Sequence, residues 1–151
     1  MRLRETIVLG LVTGLILSIS AVAYAADGET TITGRGWLYA RGTGEVSLDM
    51  KGTLRMQVDG DVSINDLAGD MTFEIESGNA ALAVGPEIEL EDFHGTIIVR
   101  GSHYVVEAEG SMRFLAHGAG VAHLEGNGIW KTRHGGVHRW SSGERIELVA
   151  A

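Results

Sequence analysis

Two histidines near the C-terminal end have the spacing of metal ligands. His134 and His138 stand four positions apart, as do zinc ligands on successive turns of a helix. Gly135 and Gly136 lie between them and oppose a helix, and no glutamate separates them as in the HExxH motif. A solvated turn is therefore favoured over a metal site, and no metal ligand is assigned.

Oxygen-bearing side chains near residue 60 raise the same question for calcium. Asp59, Asp61, Ser63 and Asn65 occupy alternate positions, which places them on one face of a strand. Carboxylate and amide oxygens bind calcium, but Ile64 occupies the position that an EF-hand loop reserves for glycine. We interpret the cluster as a solvated polar face, and we expect no cofactor.

Catalytic motifs are absent from the sequence. The chain has no cysteine, which excludes a thiol nucleophile. It has no Gly-x-Ser-x-Gly elbow, and its glycines lack the spacing of phosphate-binding loops. We predict that the protein is not an enzyme, and no catalytic residue is assigned. The alternative is a hydrolase of envelope polysaccharide that uses paired carboxylates, because the 20 acidic residues supply many pairs.

Cations stand beside large aromatic residues in the C-terminal stretch. This combination suits contact with lipid headgroups, anionic glycans or a protein of the envelope. The competing interpretation is a final hairpin with buried indoles and exposed cations, and it is favoured. The candidate contact residues are Trp130, Lys131, Arg133, Arg139 and Trp140.

Composition narrows the class of protein. The 151 residues carry a net charge of −8, which repels a phosphate backbone and excludes nucleic acid as a partner. Hydrophobic residues make up 44%, enough to bury the core of one domain. The 22 glycines against a single proline predict many tight turns rather than collagen.

The first 25 residues have the features of an export segment. Arg2 and Arg4 precede an uncharged run from Thr6 to Ala26, in which residues 23–25 form a small-x-small pattern. We predict a signal peptide over residues 1–25, cleaved before Ala26. The alternative is an uncleaved anchor, because residues 6–26 are long enough to span a bilayer. In both cases the remaining chain is extracytoplasmic: periplasmic, on the cell surface or secreted.

Residues 26–151 are predicted to form a single all-β domain. Glycines recur at intervals of mostly eight to ten residues, and apolar residues alternate between them. Asp59-Gly60 is the best hairpin motif. Apolar positions also repeat every eight residues, as in the series Ile98, Val106, Phe114, Ala122 and Trp130.

Two halves of this domain, about 34–78 and 95–138, are similar. The segment 52–60 matches the segment 110–118, and Ser77 to Phe93 is predicted to connect the halves. The pattern predicts an antiparallel meander that closes into a barrel or sandwich, with glycines in its turns. The alternative is a single-chain β-solenoid with glycines at its corners.

Short glycine motifs are spread along most of residues 34–130: Gly34-Arg-Gly36, Arg41-Gly-Thr-Gly44, His94-Gly-Thr96, Arg100-Gly-Ser102, Gly118-Ala-Gly120 and Gly126-Asn-Gly128. This pattern resembles a family of small bacterial secreted or membrane-anchored proteins to which no function is assigned. The resemblance implies an all-β envelope protein and transfers no catalytic residue.

These features together favour a non-catalytic extracytoplasmic module that binds or scaffolds in the cell envelope. Its expected partners are an envelope protein, a glycan or a lipid headgroup. Contact with the membrane is expected only through residues 6–26, if that segment stays uncleaved.

Overall fold

The computed structural model describes residues 31–79, 85–133, 135–140 and 144–149, and every regular element in these ranges is a β-strand. The all-β prediction is therefore confirmed. No helix in the described ranges is long and apolar enough to cross a membrane. The predicted export segment, residues 1–25, lies outside the described residues. The strands are β1 (Thr31–Arg35), β2 (Trp37–Asp66), β3 (Thr72–Gly78), β4 (Glu87–Thr132), β5 (His138–Arg139) and β6 (Glu144–Val149).

Strands β2 and β4 are unusually long and pair with each other twice. β2 has 30 residues, and most of them have one antiparallel partner in β4 on each side. Leu54, for example, pairs with both Val99 and Ala116, and Ala116 pairs in turn with Leu38. Leu38 and Leu54 thus flank the same segment of β4 although they stand 16 residues apart in β2. Segments of β2 and β4 therefore alternate across the sheet.

The sheet is antiparallel apart from one pair, and it is open. Its order is β1-β6-β4-β2, with β3 and β5 beside β4, and β1 runs parallel to β6. The predicted closure into a barrel is wrong, because β1 and β2 at the two ends of this order are not joined by a ladder in the described residues. The predicted hairpin at Asp59-Gly60 is also wrong, since Gly60 lies inside β2 and pairs with Gly110 and Phe93.

Two rows of glycines cross the sheet where its long strands bend. One row is Gly60, Gly110, Gly44 and Gly126, and the other contains Gly101, Gly52 and Gly118. A straight strand of 30 residues would extend about 100 Å, far beyond a domain of this size, so β2 must bend. Gly60 has φ 155° and Gly118 has φ 140°. A Cβ at either position would fall on a backbone carbonyl oxygen of the neighbouring strand, Glu109 and Lys51 respectively.

One side of the sheet forms the core. In β2 the even-numbered positions are buried, including Leu48, Leu54 and Met56, while their odd-numbered neighbours are partly or fully exposed. No second layer of elements covers this side in the described residues, so the sheet can bury it only by curving around it. Ile98 was expected inside but is only half-buried, since the alternation shifts by one residue in this part of β4 and buries Ile97 and Val99 instead.

The internal repeat found in the sequence has a direct structural counterpart. Segments 52–60 and 110–118 lie side by side in the sheet, with Gly52 opposite Gly118 and Gly60 opposite Gly110. Between them Met56 faces Phe114. The predicted connection at 77–93 is only partly a connection, because β3 ends at Gly78 and β4 begins at Glu87.

Candidate functional site

The glycine rows divide the outward side of the sheet into two regions of opposite charge. We call the strand segments 37–43, 53–59, 94–100, 111–117 and 127–133 the basic wall; they contain six Lys or Arg residues and one acid, Asp59. The adjoining strand β3 adds two exposed acids, Glu74 and Glu76. We call the segments 45–51, 61–66, 87–92, 102–109, 119–125 and 144–149 the acidic wall; they contain 13 Asp or Glu residues and two cations. A chain of net charge −8 thus concentrates its cations in one region.

A row of four carboxylates crosses the acidic wall beside a glycine row. Asp61 pairs with Glu109, Glu109 with Glu45, and Glu45 with Glu125, and all four side chains are exposed. They line a cleft of about 640 Å³ together with further acids, among them Glu89 and Glu107. Like charges directly opposite each other destabilise a sheet. The fold therefore tolerates this row at the expense of stability.

An arginine pair lies on the basic wall across the same glycine row, three residues from it and beyond the Thr43–Ser111 pair. Arg41 and Arg113 are direct cross-strand partners, and both are exposed. Gln57 pairs with Arg113 on its other side, and Ile129 lies between Arg41 and Arg139. Neither Arg41 nor Arg113 has an ion-pair partner among the residues that the structure describes.

A groove of about 670 Å³ surrounds this arginine pair. Besides the two guanidinium groups, its polar lining includes Thr43, Gln57, Ser111 and the Asp59–His94 pair. The hydroxyl groups of Thr43 and Ser111 lie 3.1 Å apart and form a hydrogen bond. We refer to this region as the arginine groove.

Other charged groups nearby lie within ion-pair distance of a partner. Arg55 donates from Nε to Glu76 at 3.0 Å, and its Nη2 lies 2.9 Å from the same carboxylate. The acid of the basic wall, Asp59, lies 2.7 Å from Nδ1 of His94. The contrast shows that this surface can pair an arginine with an acid, yet no described residue forms an ion pair with Arg41 or Arg113.

The five predicted contact residues do not form one exposed patch. Trp130 and Trp140 are 0% and 4% exposed, so the indoles belong to the core, as the favoured interpretation required. Trp130 stacks on His138 with ring centroids 4.3 Å apart, and Trp140 donates from Nε1 to the carbonyl of Ile129 at 3.0 Å.

The three cations of that set are exposed. Arg133 and Arg139 reach solvent, and Nζ of Lys131 lies 5.9 Å from the ring centroid of Trp37. Exposed cations without exposed indoles fit electrostatic contact better than insertion of aromatic rings into a lipid interface.

No metal site is found in the described ranges, where no three His, Asp or Glu side chains are placed to hold an ion. His134 lies outside these ranges.

At the end of β2, the carboxylate of Asp66 accepts hydrogen bonds from the backbone N–H groups of Gly69 and Met71. Asp70 accepts from the hydroxyl of Ser102 at 2.6 Å and from its backbone N–H at 3.0 Å, which lowers the pKa of Asp70.

Sequence reasoning missed Arg41 and Arg113. The available clue was an alternation of charge between successive blocks of about eight residues. For example, residues 53–59 contain one arginine and one acid, and residues 61–66 contain two acids and no cation. The repeat of eight was visible, but successive blocks belong to different walls, so the charge pattern has a period of 16 residues.

No protein-family model matches the chain, and neither a characterised protein nor a solved structure is significantly similar to it.

Proposed function

We propose that residues 26–151 form a non-catalytic extracytoplasmic module of the cell envelope, which binds or scaffolds acidic partners through its basic wall. The observation that carries this proposal is the separation of charge between the two walls. A strongly acidic protein repels acidic partners over most of its surface, so a concentrated cationic region sets both where they bind and how they are oriented.

The placement outside the cytoplasm rests on the sequence of residues 1–25, with its two arginines, apolar run and small-x-small ending. The absence of cysteine leaves stability to burial and strand pairing. An envelope protein, an anionic glycan and a lipid headgroup all remain partner classes for a cationic surface.

We further propose that the sheet folds over at both glycine rows, so that the two walls face away from each other across the core. Support comes from the one-sided burial and from the 16-residue offset between β2 residues that share a β4 partner. In this arrangement the chain winds as a flattened coil with two walls, as in a sandwich, and does not run back and forth as in a meander.

The hydrolase alternative is less well supported by the geometry. A general acid needs a carboxyl group whose surroundings keep it protonated, usually by burial in an apolar pocket. Every acidic side chain that lines the cleft of the acidic wall is exposed. This cleft therefore offers negative charge rather than a proton donor.

The proposal is tested by binding to a purified anionic envelope polysaccharide over a series of salt concentrations. We expect the parent domain to bind, with an affinity that falls as salt rises, because exposed charges are screened. The charge-reversed variant Lys131→Glu/Arg133→Glu/Arg139→Glu should bind at least about tenfold more weakly. Reversal of three acids on the other wall, Glu89→Lys/Glu107→Lys/Glu125→Lys, should strengthen binding or leave it unchanged.

Two outcomes would contradict the proposal. One is salt-independent binding that both triple variants retain equally. The other is hydrolysis of the polysaccharide that a single carboxylate substitution abolishes in a folded variant. Melting curves of both triple variants show whether each remains folded.

A further inference from the structure

We infer that the arginine groove is a binding site for a phosphate group, presented by a lipid headgroup or by a soluble phosphorylated molecule. This inference rests on the proposed function and makes it specific to Arg41 and Arg113. Neither residue belongs to the C-terminal contact set that the sequence suggested.

The first step of the argument is the unrelieved repulsion between the two arginines. As direct cross-strand partners their Cα atoms are about 5 Å apart, and both side chains leave the sheet on the same side. No acid pairs with either guanidinium in the part of the chain that the structure describes. An anion bound between them would remove the repulsion.

The second step is that neighbouring acids are already occupied. Asp59 lies on the same wall but is held by His94 at 2.7 Å, and Glu76 is held by Arg55 at 2.9 Å. Asp59 and His94 also line the groove, so the one acid in its lining already has a partner, whereas the two guanidinium groups have no acidic partner in the described residues. A cationic site left open in this way can receive charge from outside the chain.

The third step concerns the donors that line the groove. Two guanidinium groups supply planar forks of N–H donors, and the hydroxyls of Thr43 and Ser111 and the amide of Gln57 add neutral donors beside them. The two arginines carry two positive charges, and the one carboxylate in the same lining, Asp59, lies 2.7 Å from Nδ1 of His94. The donor set matches a phosphate group, with up to two negative charges and several acceptor oxygens, better than a single carboxylate.

The test compares two double variants that remove the same charge from the same wall. Arg41→Gln/Arg113→Gln empties the groove, whereas Arg55→Gln/Arg100→Gln removes two exposed cations of the same wall that neither line it nor belong to the C-terminal contact set. Binding of inorganic phosphate and glycerol phosphate is followed by NMR. Binding to phosphatidylcholine vesicles, with and without phosphatidylglycerol, is followed by co-sedimentation.

We expect the groove variant to lose at least about tenfold in affinity for the phosphate probe that the parent binds, and the matched variant to lose less than about threefold. Arg41→Lys/Arg113→Lys keeps the charge and loses the fork, so its affinity should fall between the two. Preference for small phosphates identifies a soluble ligand, and preference for phosphatidylglycerol vesicles identifies a headgroup. Melting curves confirm that each variant is folded.

The inference is overturned if both charge-matched variants weaken binding equally, or if the parent binds no phosphate probe. If the parent then still binds anionic polysaccharide through the basic wall, the groove is wrong and the proposed function stands. If the polysaccharide is not bound either, both fail.

Discussion

The basic wall and the acidic wall share one backbone plan and differ in what they present to solvent. Both are built from alternating segments of β2 and β4, and each adjoins the same row of glycines, Gly60, Gly110, Gly44 and Gly126. On one side of that row stands the Arg41–Arg113 pair, and on the other stands the row of four carboxylates. The inward residues and glycines determine the fold, so the outward residues can differ in charge between the two walls.

Each wall also contains like charges in direct cross-strand contact. A sheet selected for stability alone would interleave the signs, because opposite charges across strands stabilise and like charges destabilise. The segregation therefore points to an interaction outside the chain. The same comparison separates residues that support the fold from residues that we propose support binding.

The largest expected effect comes from removing the bends that separate the walls. Gly60→Val and Gly118→Val each place a Cβ on a neighbouring carbonyl oxygen, at a backbone conformation that side chains rarely adopt. The backbone strain alone should reduce the free energy of unfolding by about 1–3 kcal/mol, and the overlap should reduce it further. Urea denaturation measures the loss.

Gly136→Ala provides the control for both glycine variants, since a Cβ there meets no atom within 4 Å. This variant should unfold with the parent. If Gly60→Val and Gly118→Val also unfold with the parent, the assignment of the glycine rows as obligatory bends is wrong.

The next effect concerns repulsion within the acidic wall. Glu45 has an acidic partner on both sides, Glu109 and Glu125. Glu45→Gln should raise the free energy of unfolding by about 0.2–1 kcal/mol at low salt, and the gain should shrink as salt is added. Glu87→Gln is the matched control, because its cross-strand partner is Asn65. An equal gain in the two variants would indicate a general effect of net charge.

A smaller effect distinguishes two arginines of the basic wall. Arg41→Gln relieves repulsion with Arg113 and should stabilise the fold by a few tenths of a kcal/mol. Arg55→Gln removes the exposed ion pair with Glu76 and should destabilise it by a similar amount. Thermal melting at low salt measures both changes. The same sign in both variants would contradict the claim that Arg55 has an ion-pair partner and that Arg41 has none among the described residues.

The smallest effect concerns a carboxyl group that does have local donors. The hydroxyl and backbone N–H of Ser102 lower the pKa of Asp70. The stability that Asp70 contributes is therefore fully present above its pKa in the unfolded chain, near 3.8. This contribution is lost as the pH falls through the lower pKa of the folded state. Ser102→Ala should raise the pKa of Asp70 toward its ordinary value. An NMR titration of the carboxyl carbon measures the change, and an unaltered titration would show that the hydroxyl has no effect.

Several features of the fold could be predicted from the sequence. The alternation of Leu54, Met56 and Val58 predicts strand and core correctly, because inward and outward side chains alternate in any strand. The need for positive φ at Gly60 and Gly118 is also confirmed.

The strand partners could not be predicted in the same way. A glycine at a bend within a strand and a glycine in a hairpin leave the same local pattern, and only long-range pairing distinguishes them. Gly60 was therefore assigned to a hairpin, although β2 continues through it. The arginine groove was missed for the same reason, since Arg41 and Arg113 stand 72 positions apart in the sequence and meet only through the register of β2 on β4.

The double pairing of β2 with β4 is the central claim, because it creates both the walls and the arginine groove. It is tested most directly by disulfide formation, since the chain has no cysteine of its own. Ser47 pairs with Glu107 on one side and with His123 on the other. Each pair, replaced by two cysteines, should form an intramolecular disulfide under mild oxidation. Ser47→Cys/Ser63→Cys should form no disulfide, because Glu107 lies between the two serines in the sheet. Two cysteines whose Cα atoms are more than about 7 Å apart cannot be bridged. Disulfide formation in only one of the two predicted pairs, or in the Ser47–Ser63 pair, would contradict the account.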